Sequence, residues 1–121
     1  MYYMCLIISH FIFTGTLLNV KLDGDAKLAQ TGKEGYYTLN SILVNGRRNW
    51  IQYQGSNAIW YDDYHKTWNI GVKQNLGTSS CSIYSTNDAA IPEEATTWMV
   101  LNIDNGSWTT TTKVFGSISK C

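Results

Sequence analysis

The first stretch of the chain is missing one class of side chain. Met1 to Val20 holds no lysine, arginine, aspartate or glutamate, and all of the nine basic and nine acidic residues lie from Lys21 onward. Those charges cancel and are scattered, with Arg47-Arg48 the longest basic run. Phosphate neutralisation needs a clustered basic face, so a charged nucleic-acid groove is excluded. Cysteine is scarce as well: Cys5, Cys81 and Cys121 lack the short paired spacings of a metal cluster and are too few for a disulfide framework. Outside the N-terminal segment no stretch repeats apolar residues at helical spacing, and the single proline, Pro92, sits in a polar loop. An all-α or α/β architecture is therefore not expected.

Within the uncharged segment, Cys5 to Leu18 reads CLIISHFIFTGTLL, the length of the apolar region of a secretory signal, with Thr14, Gly15 and Thr16 near a cleavage point. This favours a signal peptide over residues 1–20 and an extracellular protein. A membrane anchor, if the segment is uncleaved, and a wrongly chosen start or fragment of a longer chain are the alternatives. With Cys5 removed, Cys81 and Cys121 could pair in an oxidising compartment; a buried thiol plus a free terminal one is the alternative. Residues 21–34 form a polar, glycine-punctuated lead-in.

What is present is aromatic. Val44 to Gly71 carries three of the five tryptophans and three of the eight tyrosines, spaced as strand, turn, strand, turn, strand. Tyr36–Val44 and Arg47–Tyr53 flank Asn45-Gly46, the dipeptide suited to a two-residue hairpin. Ala58–Tyr61 and Thr67–Val72 follow, the latter alternating Trp68, Ile70 and Val72 with Thr67, Asn69 and Gly71. Cys81–Tyr84, Trp98–Ile103 and Ser107–Thr112 are further strands, with Asn105-Gly106 a second hairpin signal, and Val114–Ile118 finishes the sheet. Pro92-Glu93-Glu94-Ala95 suits one helical turn. The expected fold is all-β: a small antiparallel meander forming a curled sheet, a sandwich or a partly closed barrel over residues 35–119.

The order of Gly35-Tyr36, Asn45-Gly46-Arg47, Trp50, Trp60-Tyr61, Trp68-Asn69-Ile70-Gly71, Pro92, Trp98 and Trp108 resembles a small tryptophan-rich β domain. That module recurs in extracellular-looking proteins of marine invertebrates and unicellular eukaryotes. The resemblance implies a repeated or appended module without an agreed activity, and supplies no catalytic residue.

Few residues suggest chemistry. Asp62, Asp63 and His65 cluster on a turn, where solvated side chains are the simpler reading than a metal or acid/base site, and no G-x-S-x-G elbow accompanies them. Asp23-Gly24-Asp25 lacks the remaining ligands of a calcium loop, and Gly71–Gly77 lacks the Gly-Lys-Ser/Thr ending of a phosphate cradle. No metal or cofactor is expected. Trp60 and Trp68 are expected to face each other across strands in the core. Trp50, Tyr53, Tyr61 and Tyr64 are the candidate binding residues, an exposed aromatic set for a glycan or protein partner. Asn105-Gly106-Ser107 is a glycosylation sequon. The sequence thus points to a non-catalytic extracellular recognition or structural module, with a small secreted enzyme or enzyme inhibitor as the alternative.

Overall fold

A computed structural model describes residues 16–118. Eight antiparallel strands follow one another in a single curled sheet, each paired with its neighbours in sequence. They are β1 (Leu17–Val20), β2 (Gly35–Leu39), β3 (Trp50–Gln52), β4 (Asn57–Asp62), β5 (Thr67–Val72), β6 (Ile83–Ser85), β7 (Trp98–Leu101) and β8 (Trp108–Thr111). The curl brings the chain after β8 back to the first strand: Phe115 bridges Val20, Lys21 N–H donates to the Val114 carbonyl at 2.8 Å, and Gly116 N–H to the Asn19 carbonyl at 2.9 Å. These contacts cover part of the β1 edge that would otherwise expose backbone donors and acceptors.

The boundary drawn at Val20 is therefore misplaced. Leu17–Val20 pairs with β2 from Leu17↔Thr38 to Val20↔Gly35, and Leu18 and Val20 are buried in the core. Strand burial accounts for the absence of charge at Leu18 and Val20; Met1–Gly15 lies outside the described residues. The lead-in is also structured. It forms a short helix, α1 (Gly24–Ala29), and a 3-10 turn at Thr31–Lys33, and it buries Leu22 and Ala26 in the same core. Too few apolar positions fall in so short a helix to register as periodicity. Among the described residues no helix is long and apolar enough to cross a membrane.

The core fills the concave face. Alternate residues of successive strands meet there: Leu18 and Val20, Tyr37, Trp50, Ile59 and Tyr61, Trp68 and Ile70, Ile83, then Trp98 and Val100. Gln30 ties α1 to the sheet by donating from Nε2 to the Leu101 carbonyl at 2.7 Å. In β4 and β5 the convex face is covered too. Trp60 pairs with Asn69 and Tyr61 with Trp68, so Trp60 does not face Trp68 but points the opposite way. Its indole Nε1 donates to the Thr78 carbonyl at 2.8 Å under the loop after β5. A Cβ at Gly71 would come within 3.1 Å of both the Trp60 ring and the Cys81 backbone, so glycine permits this close cover. For the same reason simple alternation fails in β5: Asn69 and Gly71 are buried, whereas Val72 at the strand end is exposed.

An antiparallel meander puts alternate connections at the same end of the sheet. The segments joining β2 to β3, β4 to β5 and β6 to β7 therefore share one end. The first of these begins sooner than expected, because β2 stops at Leu39 and β3 starts only at Trp50. Residues 40–49 form an excursion whose base is held by buried Asn49, which accepts from Asn40 Nδ2 and donates to the Ile42 carbonyl, both at 2.8 Å. At its tip Val44 and Arg47 exchange two backbone hydrogen bonds around Asn45 and Gly46, both at positive φ, the two-residue turn that the dipeptide predicts. Asn105-Gly106 behaves differently. Asn102 N–H donates to the Ser107 carbonyl at 2.7 Å, closing a four-residue loop in which Gly106 alone has positive φ.

Candidate functional site

Three segments remote in sequence converge at the shared end. From the excursion comes Arg47, whose guanidinium lies over the Tyr61 ring, 3.7 Å from its centroid, and 5.9 Å from that of Trp68. Its Nη1 donates to the carbonyls of Ala89 at 3.1 Å and Ala90 at 3.3 Å. From the β6–β7 loop come those carbonyls and Asp88, whose Oδ1 accepts from the Tyr61 hydroxyl at 2.8 Å. The Trp68 indole donates to the Ala89 carbonyl at 2.8 Å, and Asn45 Nδ2 to the Tyr61 carbonyl at 2.7 Å. Packing a cation on an aromatic face contributes about 0.5–2 kcal/mol, and each hydrogen bond adds to it. Arg47 is thus a clasp between the excursion and the β6–β7 loop.

Beside the clasp opens a cleft of about 220 Å³ lined by Arg47, Arg48, Trp50, Trp68, Ala90, Ile91 and Glu93. It is smaller than the roughly 300–1,000 Å³ of sites for drug-sized ligands, so it takes one ring or one side chain of a larger partner. Ile91 is 39% exposed, a large apolar side chain open to solvent on the cleft wall. Pro92–Glu94 is a 3-10 turn with proline at its start, as its sequence suggests, and it presents Glu93 to the cleft. Glu93 is exposed overall, but partial desolvation against the cleft raises its carboxyl above the usual value; its own backbone N–H partly offsets this, and the Glu94 charge adds to it. Among the described residues neither arginine of the cleft has a carboxylate within ion-pair distance.

The four aromatic residues singled out as binding candidates do not form one surface. Trp50 is 2% exposed and Tyr61 1%, both in the core, although Trp50 contributes to the cleft floor. Tyr53, 49% exposed, lies in the turn after β3, whereas Tyr64, 85% exposed, lies in the turn after β4, and consecutive turns of a meander sit at opposite ends. Tyr64 packs edge-on against His65, with centroids 4.7 Å apart.

The acidic turn is not merely solvated either. Asp62 is 3% exposed and caps its own turn, accepting from the backbone N–H of Tyr64 at 3.0 Å and of His65 at 3.3 Å, with His65 Nδ1 2.8 Å from Oδ2. Burial, the largest single influence, pushes its pKa up, but hydrogen bonds from His65, Ser79 and the backbone of the turn outweigh it and leave the carboxyl below its usual value. Asp63 is exposed and pairs with Lys66 at 3.0 Å. Among the described residues no three metal-ligating side chains gather.

Cys81 is half-buried with a free thiol, pushed up to about 12 by burial and the Asp62 charge. Its suggested partner Cys121 lies outside the described residues. Asn105 is exposed, its Oδ1 accepting from the Ser107 N–H at 2.9 Å and the Ser107 hydroxyl at 2.7 Å.

Arg47, Ile91 and Glu93 were not legible as site residues. The one available signal was local: a residue directly after Asn45-Gly46 closes the tight turn opposite Val44, so its side chain stands at a fixed place. Comparison with protein families, with curated proteins and with solved structures found no match to the chain.

Proposed function

We propose that the domain is a non-catalytic recognition module that receives one side chain of a protein partner in the Arg47–Ile91 cleft. The observation that carries this is the clasp: Arg47, fixed by Tyr61 and by two carbonyls, joins two loops and holds the cleft open in one shape. A pre-formed site spends little of its binding free energy on ordering itself. A glycan is the less favoured ligand, because Trp50 and Trp68 are buried and offer no open ring face for a sugar to stack on, whereas Ala90 and Ile91 supply an apolar wall. The raised Glu93 carboxyl is the single observation that speaks for the alternative of a small enzyme. Acid/base catalysis by a carboxylate pair or a carboxylate with an imidazole would need a second such group, and the cleft lining holds one carboxylate and no histidine.

Arrays of peptides and glycans probed with the native chain and with Ala90→Trp, which fills the cleft, test this reading. Peptide signals present for the native chain and lost in the variant are expected. Signals that survive the substitution would place recognition elsewhere. The extracellular setting rests on the uncharged N-terminal segment and the exposed sequon at Asn105. Expression in a eukaryotic secretion host should yield secreted protein that shifts in mobility on deglycosylation, and retention in the cytosol would count against export.

A further inference from the structure

We infer that the partner segment seated in the cleft is acidic, an apolar side chain flanked by carboxylates; this deepens the recognition reading and rests on it. The argument is charge complementarity around an apolar opening. Arg47 and Arg48 line the cleft against one acid, Glu93, and neither arginine is neutralised by a carboxylate of the described residues. Arg47 is committed through Nη1 to Ala89 and Ala90 and through its face to Tyr61, so its position is set before any partner arrives. Arg48, next in the chain, is exposed. Two guanidinium groups beside one apolar wall match carboxylates on either side of an aliphatic residue, because guanidinium pairs with carboxylate in a fixed fork geometry.

The surroundings continue the same chemistry. The Ile42 carbonyl is held 2.8 Å from Asn49 Nδ2, which places the exposed Ile42-Leu43 pair beside the Arg48–Trp50 strand entry. Contiguous exposed apolar patches rimmed by polar residues mark protein-interaction sites. Glu93, exposed on the same rim, is the one acid of the lining, and the two arginines outnumber it.

The test uses the full chain, isotope-labelled, titrated with three acetylated and amidated peptides, DDLDD, SSLSS and KKLKK. Nuclear magnetic resonance follows the Ile91 methyl groups, the Arg47 Nε–H and the indole N–H groups of Trp50 and Trp68. DDLDD should shift these signals at a concentration about tenfold lower than SSLSS, and the advantage should shrink as salt rises from about 0.05 to about 0.5 M. Arg48→Glu, at an exposed position, should leave the melting temperature unchanged and reverse the preference toward KKLKK.

Equal shifts by DDLDD and SSLSS at the cleft would overturn the acidic partner while leaving a recognition cleft in place. Shifts confined to residues outside the cleft, or none with any peptide, would overturn the inference altogether. Cleft shifts with an oligogalacturonate and none with DDLDD would overturn it in favour of an acidic glycan. Unchanged preference in Arg48→Glu would show that the arginine pair is not the determinant.

Discussion

Tyr61 and Trp68 stand directly opposite each other on β4 and β5, their rings 5.2 Å apart and steeply inclined at 65°. Edge-to-face geometry of this kind adds about 0.5–1.5 kcal/mol beyond the area that the rings bury. The pair also joins core to site. Tyr61 carries Arg47 on its face and Asp88 on its hydroxyl, while Trp68 holds the Ala89 carbonyl. One cross-strand contact in the core thus sets the position of both loops that form the cleft.

Trp68→Ala should accordingly destabilise the domain by roughly 3–5 kcal/mol, and Tyr64→Ala by less than about 0.5, because the first ring is buried and the second projects into solvent. Urea denaturation of both variants measures the difference. Similar small effects would mean that Trp68 is not packed as described.

The Asp62 cap makes a second, pH-dependent prediction. Asp62→Asn removes the charge that three N–H groups of the turn address, and it should cost about 1–3 kcal/mol at neutral pH. A carboxyl whose folded pKa is depressed contributes stability fully above its unfolded value and loses it as pH falls through the folded one. The gap between wild type and variant should therefore close on acidification below the usual aspartate range. A gap that is constant with pH would assign the effect to packing alone.

Glu93 should behave in the opposite sense. Its folded pKa is raised, so the unfolded chain ionises first and stability falls as pH climbs from the usual glutamate value through the folded one. Glu93→Gln should raise the melting temperature at neutral pH and leave it unchanged where both states are protonated. Stabilisation that persists in acid would point to a cause other than ionisation.

Two truncations separate the strand from the residues before it. A chain beginning at Thr16 keeps β1, whereas one beginning at Lys21 loses Leu18 and Val20, each worth about 1.5–3 kcal/mol of burial, together with the ladder to β2 and the bridge to Phe115. Cooperative melting by circular dichroism is expected for the first, and a much weaker or absent transition for the second. Equal melting of the two would show β1 to be dispensable.

The sequence by itself determined the features that a short window of chain decides. Thr67–Val72 is a strand over the predicted residues, Asn45-Gly46 is a tight turn because few other dipeptides tolerate two positive φ angles, and Pro92 starts a helical turn because its ring presets φ. The all-β class followed from the lack of any helical repeat.

Tertiary structure decided what depends on residues far apart in the chain. Period-two spacing separates Trp60 from Tyr61 but cannot say that the loop reaching Thr78 covers the outer face, so both rings are buried, on opposite sides. A charge-free segment reads the same whether it is exported or paired, and the pairing of β1 with Tyr37 on one side and Phe115 on the other is what made it a strand. The cleft is the extreme case. Arg47 meets Ala89 across more than forty residues, |i−j| = 42, and no local pattern encodes that contact, because it exists only once the sheet has curled and stacked its loops at one end.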